Sequence, residues 1–363
     1  MKIAILTNFD VGLYQFRREL VEELLKEHEV LLALPDGDLI RPLEQAGCRF
    51  IDVPMERRGL NPVKDLGLMT HYWKLLRRER PDLVITYTIK PNIYGGLVCR
   101  CLGIPYAANV TGLGTAFQND GLLRQLVTML YKPALGKAKV VFFENAANRQ
   151  VFLDEGILPE ERTCLLHGAG VNLEHYAYAP YPVDGPVRFL FVGRVMKEKG
   201  VKELFAAMER LHGEGYDCCL DVLGGYEEHY EERIRGCEAQ GWLRYHGYVT
   251  DVRPYIERAH CFVLPSYHEG MANTNLECAA MGRPLITSDI PGCREAVLEN
   301  QSGLLCRPKD VESLYEAIKG FLALSPETRA QMGRRGRAHM EAVFDKQKVV
   351  EETVKALDLQ RMR

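Results

Sequence analysis

The sequence lacks the features that mark several large classes of protein. Its 363 residues contain no apolar run of about 18 residues, so we expect no membrane-spanning helix. No cysteines are spaced as CxxC and no cysteine–histidine spacing suits zinc, so we expect no protein-held metal. The N-terminus enters a strand pattern directly, so we expect no cleavable signal peptide. Eleven cysteines, an odd number with several in apolar strands, are typical of reduced thiols in the cytosol.

The chain also has little net charge. There are 46 Lys and Arg against 49 Asp and Glu, a charge of −3, so nothing indicates a nucleic-acid-binding protein. The charge is nevertheless uneven, because the segment from Arg57 to Lys139 holds 13 Lys and Arg against four acids, giving +9. Such a segment suggests a surface that faces phosphates or an anionic leaflet. Solvated helix faces are the alternative interpretation.

Short β-rich apolar runs alternate with helical stretches along the whole chain. The strand candidates of the first half are Lys2–Asn8, Glu29–Pro35, Phe50–Pro54, Leu83–Thr88, Tyr106–Thr111 and Val140–Asn145. The pattern restarts near residue 187, with candidates Val187–Arg194, Cys219–Gly225, Leu243–Val249, Cys261–Ser266, Pro284–Asp289 and Gly303–Cys306. Strand–helix alternation predicts mostly parallel sheets with helices on both faces.

A proline-rich stretch at residues 176–186 separates the two halves. We therefore predict an α/β protein with two Rossmann-like, doubly wound domains that face an interdomain cleft. The predicted domains are residues 1–178 and 187–344. Residues 345–363 are expected to form a helix that packs back on the N-terminal domain.

The start of the second domain concentrates positive charge after a buried strand. The run from Phe189 ends at Gly193 and is followed by Arg194 and Lys199, just before a predicted helix near Val201. Arginine can grip two phosphate oxygens and lysine acts as a point charge, so the pair suits a diphosphate. Ordinary surface residues of a solvated loop are the alternative.

A second group of polar residues follows the strand Cys261–Ser266. Glu269 and Glu277 are eight residues apart in a stretch that turns from loop into helix. Carboxylates can accept hydrogen bonds from the hydroxyls of ribose or a sugar, and the amides of a helix N-terminus can meet phosphate. Ligands bind at the carboxyl ends of strands in open α/β sheets, where this stretch is expected to lie.

Together these segments resemble the donor half of the family-4 retaining glycosyltransferases. Three further stretches match that family: Gly168–Asn172, Gly247–Val252 and Ser288–Glu295. In the first half, Tyr87–Gly95 and Thr111–Phe117 resemble the capsular-polysaccharide and bacillosamine-pathway branch. Members of this branch extend a saccharide on undecaprenyl diphosphate, typically with UDP-GalNAc, UDP-GlcNAc or UDP-Gal. The resemblance covers Met1 to about Phe344.

The resemblance implies a role for each matched donor residue. Arg194 and Lys199 would bind the donor diphosphate, Glu277 would accept from the ribose hydroxyls, and Glu269 would hold the transferred sugar. Arg194, Lys199 and Glu269 are the expected catalytic residues. The remaining expected donor-binding residues are Gly12, Gly270, Met271, Ala272 and Asn273. Gly12, predicted between the first strand and helix, would let the backbone approach a ligand closely.

The expected acceptor-binding residues lie in the first half: Tyr14, Arg17, Lys90 and Thr111. Arg17 and Lys90, together with Arg18, are candidates for the acceptor's diphosphate, although the arginines can equally be exposed helix charges. Many relatives have a histidine after the fifth strand, whereas this sequence has Asn109-Val-Thr111. Thr111 or a backbone carbonyl would take its place.

The resemblance implies a retaining transfer of a hexose or N-acetylhexosamine, with GalNAc as best choice, from a UDP-sugar to an undecaprenyl-diphosphate-linked saccharide. Without a second carboxylate opposite the anomeric carbon, we expect displacement on one face of the sugar, assisted by cations and without a metal or other cofactor. The acceptor's lipid tail implies a cytoplasmic enzyme bound peripherally to the cytoplasmic leaflet of the inner membrane.

Two stretches of the basic segment mix aromatics, aliphatics and cations as interfacial helices do, Leu60–Arg78 and Leu122–Lys139. The alternative is that Leu66, Met69 and Trp73 form the core face of an ordinary helix.

Other functions remain open on this fold. An NAD-dependent oxidoreductase would need Gly-x-Gly-x-x-Gly after the first strand, where this chain has Gly12 alone. A UDP-sugar epimerase and a non-catalytic nucleotide-sugar-binding protein stay as alternatives.

Overall fold

The computed structural model describes residues 1–56, 61–114 and 121–359. The chain forms two compact units, one of Met1–Ala169 with the C-terminal segment from Lys346, the other of Gly170–Asp345. Arg57, Arg58 and residues 115–120 lie outside the described ranges. The basic segment and the Thr111–Phe117 motif are therefore described only in part.

A parallel sheet forms the centre of the first unit. Over the described residues its strands are β1 (Lys2–Leu6), β2 (Glu29–Leu34), β3 (Arg49–Asp52), β4 (Leu83–Tyr87), β5 (Tyr106–Val110), β6 (Val141–Phe143) and β7 (Thr163–Leu165). Their order is β3-β2-β1-β4-β5-β6-β7. Chain order reverses between β1 and β4, so the loops after these strands leave the same edge side by side, where open α/β sheets bind ligands.

Helices cover both faces of this sheet. They are α1 (Asp10–Leu25), α2 (Ile40–Gln45), α3 (Pro62–Glu79), α4 (Gly96–Leu102), α5 (Leu122–Leu135) and α6 (Ala146–Asp154). Ile3 of β1 belongs to the apolar cluster that contains Leu24 of α1, whereas its neighbour Ala4 belongs to the cluster that contains Tyr72 of α3. Successive strand residues point to opposite faces, so both faces of the sheet are buried.

The C-terminal helix α13 (Lys346–Leu357) belongs to this first unit. Lys346 Nζ donates a hydrogen bond to the Phe16 carbonyl oxygen of α1 (3.1 Å). Lys139 Nζ donates to the Leu357 carbonyl oxygen (3.2 Å). Val349 of α13 lies in the same apolar cluster as the buried face of α1.

The second unit repeats the doubly wound pattern. Its strands in the described range are β8 (Val187–Val192), β9 (Cys218–Leu223), β10 (Leu243–Gly247), β11 (Cys261–Leu264), β12 (Leu285–Ser288) and β13 (Gly303–Cys306), in the order β10-β9-β8-β11-β12-β13. Its helices are α7 (Val201–Gly213), α8 (Glu231–Ala239), α9 (Arg253–Arg258), α10 (Asn273–Ala280), α11 (Val311–Leu322) and α12 (Pro326–Val343). Chain order reverses between β8 and β11. The predicted fold class is confirmed.

The structure divides the chain earlier than the predicted boundary at residue 178. The Val171 amide donates to the Phe344 carbonyl oxygen (2.7 Å). The Arg337 guanidinium of α12 donates to the carbonyl oxygen of Tyr176 (3.0 Å). Residues 170–178 therefore belong to the second unit. The proline-rich composition that suggested the boundary does not reveal these long-range backbone contacts.

Several local features differ from the sequence-based expectations. Strand β7 and a π-helical turn at Pro91–Gly95 were not predicted. Gly12 lies in the first turn of α1 rather than in a loop before it, so that part of the prediction is wrong. Within the described ranges, none of the helices combines the length and the apolar character needed to span a bilayer.

Candidate functional site

The reversal of chain order in the second unit brings the two predicted donor loops together. Adjacent strands β8 and β11 end in the loops that carry Lys199 and Glu269. Gly200 has φ of +70°, and a Cβ there would lie 2.1 Å from the Pro265 carbonyl oxygen. The Tyr267 amide also donates to the Glu198 carbonyl oxygen (2.9 Å). Only glycine fits at position 200, which allows this close packing of the two loops.

Lys199 and Glu269 are in direct contact at this point. The Lys199 ammonium donates to Oε1 of Glu269. The Ser266 hydroxyl donates to the same oxygen at 2.7 Å. The exposed fractions of the two charged side chains are 21% and 13%. The site therefore presents a cation and a carboxylate at the carboxyl end of the sheet, both partly shielded from water.

The segment after Glu269 is held by a second glycine contact. The Ala272 amide donates to the Gly292 carbonyl oxygen (2.8 Å). A Cβ at Gly292, where φ is +85°, would lie 2.6 Å from the Gly270 carbonyl oxygen. Met271 and Ala272 are buried. Asn273 begins α10, and its buried Oδ1 has no hydrogen-bond partner in the described part of the chain.

Glu277 lies on α10 and interacts with Tyr176. Burial first, and then the charge and hydrogen bonding of Glu277, raise the pKa of Tyr176 well above its ordinary value. The Tyr176 phenol therefore keeps its proton and can donate to the Glu277 carboxylate. This interaction fixes the carboxylate from the side of residues 170–178.

Arg194 stands in a more open environment than Lys199. Its guanidinium lies 3.1 Å from a carboxylate oxygen of Glu227, and half of the arginine side chain is exposed. The Lys197 amide donates to Glu228 in the same loop (2.8 Å). Exposed ion pairs of this kind contribute little to stability, so Arg194 can exchange Glu227 for another anion at small cost.

Arg17, expected at the acceptor, has a buried partner instead. Its guanidinium pairs with Glu144, which follows β6. The same guanidinium stacks on the Tyr87 ring, with its carbon 5.3 Å from the ring centre. Burial raises the pKa of Glu144, an effect that the charge of Arg17 opposes. Because Arg17 is buried and paired, the structure does not support a contact with an acceptor diphosphate.

Three other predicted residues of the first unit belong to two elements: Gly12 and Tyr14 lie in the first half of α1, and Thr111 lies just after β5. Tyr14 accepts a hydrogen bond from Arg18 (3.3 Å). Thr111 directly follows β5 and is partly buried. A Cβ at Gly12 would lie 3.1 Å from the Phe9 ring, so this glycine lets α1 pack closely on that ring.

Lys90 follows β4 and contacts α3. Its Nζ donates to Oδ1 of Asp65 at 2.8 Å. The structure thus gives Lys90 and Arg17 separate carboxylate partners rather than a shared site.

Several of these partners were missed by sequence reasoning. Asp65 stands out in the sequence as one of few acids in the basic segment, which was a usable signal. Ser266 ends a predicted strand three residues before Glu269. Tyr176, Glu227 and Glu144 carry no local signal, because their contacts depend on the fold.

No three His, Cys, Asp or Glu residues are grouped so as to hold a metal ion within residues 1–56, 61–114 and 121–359. The expectation of a metal-independent reaction stays a prediction.

Two protein-family models match the chain, one for each unit. The model described as glycosyl transferase 4-like domain matches residues 12–169. The model described as glycosyl transferases group 1 matches residues 186–323. Together they span most of the chain and include the Lys199 and Glu269 loops.

Individual proteins agree with these models. The chain is 27% identical to the N,N'-diacetylbacillosaminyl-diphospho-undecaprenol alpha-1,3-N-acetylgalactosaminyltransferase of Campylobacter jejuni, with 89% of each chain covered. It is 33% identical to TuaC of Bacillus subtilis, a glycosyltransferase named for teichuronic acid biosynthesis, over 83% of this chain and 74% of the relative.

A solved structure shares the fold. The crystal structure of HepE from Anabaena, in complex with UDP-glucose, superposes with a TM-score of 0.81 at 15% identity. The match covers 98% of this chain and 99% of that one. The shared fold is the GT-B type of glycosyltransferases.

Proposed function

The chain belongs to the group 1 and 4-like glycosyl transferases, and on that basis we propose that it transfers a hexose or N-acetylhexosamine from a UDP-sugar to an undecaprenyl-diphosphate-linked saccharide. N-acetylgalactosamine is our first choice of sugar, since the Campylobacter relative is named for it. The contact of Lys199 with Glu269 is the observation that carries the proposal. It joins a cation for phosphate and a carboxylate for sugar hydroxyls at the ligand-binding edge of the sheet.

The charges of the second unit suit a nucleotide-sugar donor. Lys199 and Arg194 would bind the diphosphate, and Glu269 would accept hydrogen bonds from the transferred sugar. Glu277, oriented by Tyr176, would accept from the ribose hydroxyls. In the segment Gly270–Asn273, the amides of Ala272 and Asn273 already donate to the carbonyl oxygens of Gly292 and Met271, so a contact of this segment with the donor would come from the part before Ala272.

The chemistry follows from where charge develops. The acceptor hydroxyl oxygen forms a bond to the anomeric carbon on the face from which UDP leaves, while the bond from that carbon to the β-phosphate oxygen breaks. The proton of the acceptor hydroxyl passes to the leaving diphosphate. Negative charge grows on UDP in the transition state, so Lys199 and Arg194 would stabilise it electrostatically.

A lipid-linked acceptor requires the enzyme to meet a membrane surface, and α3 supports such docking. Leu66 and Trp73 are exposed, with 60% and 38% of their surfaces accessible. Lys74 and Arg77 on the same helix are exposed too. The core face of α3 is formed by other residues: Leu68, Tyr72, Leu75 and Leu76. The interpretation as core residues is therefore wrong for Leu66 and Trp73, whereas Met69 is partly buried against the core as that interpretation expects. We propose peripheral binding to the cytoplasmic leaflet.

A transfer assay tests the proposal. UDP-GalNAc, UDP-GlcNAc, UDP-Gal and UDP-Glc are first screened for thermal protection, and the protecting donors are then offered with prenyl diphosphate-linked saccharides. We expect an extended, alkali-stable glycoside and release of UDP. Interconversion of UDP-sugars without an acceptor would identify an epimerase, and protection without turnover would identify a binding protein. Either result would contradict the proposal.

A further inference from the structure

A cavity of about 510 Å³ lies in the first unit, next to Lys90. It opens beyond the carboxyl ends of β3 and β4, between the segment after β3 and the first turns of α3. Met55 and Leu68 form part of its apolar wall. Asp65 and Lys90 are the buried charged residues that line it. Its volume is within the range of small-molecule sites, and such sites combine apolar walls with a few fixed polar groups.

Among the residues that the structure describes, the charged side chains lining this cavity are paired with one another. The Asp65 and Lys90 side chains are 6% and 11% exposed and are joined at 2.8 Å. At the rim, Lys64 pairs with Glu56. A diphosphate needs cations in excess, which these two pairs do not offer. A buried carboxylate beside an ammonium suits instead the hydroxyls of a neutral ligand, because one accepts and the other donates hydrogen bonds.

The backbone that carries Lys90 is fixed in an uncommon conformation. Thr88 has φ of +71°, a value that β-branched residues rarely adopt. The π-helical turn Pro91–Gly95 begins directly after Lys90. Inside this turn, the fully buried Asn92 accepts from Thr86 Oγ1 (2.6 Å) and donates to the Asn109 carbonyl oxygen (2.8 Å). Strained segments and π-turns are concentrated at functional sites, and here both hold one lysine against the cavity.

Gly67 keeps the cavity open from the side of α3. It lies inside this helix, where glycine is about 1 kcal/mol less favourable than alanine. A Cβ at Gly67 would have no atom of the described residues within 4 Å, so helix packing does not require a glycine. Because Gly67 lines the cavity, a side chain there would reduce its volume.

We infer that this cavity is a carbohydrate-binding subsite, which holds one sugar ring of the acceptor saccharide. Asp65 accepts hydrogen bonds from the sugar hydroxyls, Lys90 donates to them, and Leu68 packs on the apolar face of the ring. This inference rests on the proposed function and revises one part of it. Lys90 recognises the saccharide of the acceptor and not its diphosphate.

Substitution of Gly67 tests the inference without disturbing the buried ion pair. G67L fills the cavity while raising helix propensity, so the variant is expected to fold, and its melting temperature checks this. G236L is the matched control, because Gly236 lies inside α8 of the other unit and a Cβ there also meets none of the described residues within 4 Å.

Acceptor kinetics give the first result. We expect G67L to raise the KM of the saccharide-bearing acceptor about ten-fold, the effect of losing one or two hydrogen bonds to charged groups, with a smaller rise in G67A. The inhibition constant of farnesyl diphosphate, which has no sugar, should stay near the wild-type value. An equal rise in both constants would place the diphosphate in the cavity. An unchanged acceptor KM, or an equal rise in donor KM, would also overturn the inference.

A binding measurement separates this inference from the transfer reaction. Saturation-transfer NMR with the methyl glycosides of N-acetylglucosamine and N-acetylgalactosamine is expected to give signals with the wild type and G236L that weaken in G67L and D65N. Loss of signal in G67L alongside absent transfer would count against the proposed function and support the subsite. Equal signals in G67L and wild type would count against the subsite, whatever the transfer assay gives.

Discussion

The ammonium of Lys199 and the carboxylate of Glu269 form a hydrogen-bonded ion pair between residues 70 positions apart in the sequence. Oε1 of Glu269 accepts hydrogen bonds from both the Lys199 ammonium and the Ser266 hydroxyl. If Lys199 stabilises the leaving diphosphate, its charge matters most in the transition state. Glu269 would then keep the ammonium in position before the donor binds.

The first prediction concerns Lys199→Ala. At saturating donor, kcat is expected to fall about 100- to 1000-fold, the usual effect of removing one group that stabilises developing charge. Lys202→Ala is the control, since Lys202 is exposed on the first turn of α7. A change confined to the donor's KM would show that Lys199 only binds the donor.

The second prediction concerns the exposed pair of Arg194 and Glu227. Glu227 competes with the donor diphosphate for the guanidinium, so Glu227→Gln is expected to lower the donor KM. The gain should not exceed about five-fold, because exposed ion pairs contribute at most about 1 kcal/mol. Glu232→Gln, an exposed change on α8, removes the same charge without touching Arg194. A higher donor KM in Glu227→Gln would show that Glu227 helps to bind the donor.

Tyr176 provides the third prediction. Tyr176→Phe removes the hydrogen bond to Glu277 and keeps the ring, so the donor KM is expected to rise about five-fold, with a smaller effect on kcat. Tyr178→Phe, two residues away and more exposed, serves as the control. Because the pKa of Tyr176 is raised, the phenol stays protonated at neutral pH and the effect should not vary between pH 6 and pH 8. Equal donor KM values for Tyr176→Phe and Tyr178→Phe would show that the Tyr176 hydroxyl does not help Glu277 to bind the donor.

A fourth prediction concerns stability at low pH. Burial first, and then the charges of Arg329, Arg188 and Arg283, lower the pKa of His260 from 6.5 to about 4. The unfolded chain therefore binds a proton on this histidine at higher pH than the folded protein does. The stabilisation is complete above pH 6.5 and is lost as the pH falls from 6.5 to 4, by at most about 3 kcal/mol.

Melting temperatures between pH 8 and pH 4 check this. His260→Gln can still accept from the Arg188 amide, which lies 3.1 Å from Nδ1 in the wild type. Its melting temperature should depend less steeply on pH than that of the wild type. His212→Gln, an exposed change on α7, should follow the wild type. If the melting temperature of His260→Gln depended on pH as steeply as that of the wild type, groups other than His260 would cause the loss of stability in acid.

The sequence predicts the donor residues better than the acceptor residues, for a physical reason. Lys199 and Glu269 each follow a buried strand, and parallel strands deliver such loops to one edge, so local patterns suffice to bring them together. The strand predictions for this region end within two residues of β8 and β11. The contact of Lys199 with Glu269 also needs Gly200, whose spacing from Pro265 depends on the fold.

The acceptor half depends on contacts that periodicity does not encode. Arg17 has the helical spacing of an exposed charge, yet Glu144, 127 positions away, holds it in the interior. Asp65 and Lys90 meet because α3 packs beside a π-helical turn, a conformation without a sequence signature. The sequence pattern predicts Gly12 between β1 and α1, whereas the helix already begins at Asp10.

The last prediction concerns membrane docking by α3. Leu66 is exposed on the same helix as the exposed residues Trp73, Lys74 and Arg77, so Leu66→Glu removes apolar surface and places a negative charge against an anionic leaflet. The wild type is expected to float with phosphatidylglycerol vesicles, less in high salt because screening weakens the attraction of the basic residues. Leu66→Glu should float less at every salt concentration. Val183→Glu is the matched control, because Val183 is an exposed residue of the other unit. Equal flotation of both variants, or flotation that salt and Leu66→Glu leave unchanged, would show that α3 is not the docking surface.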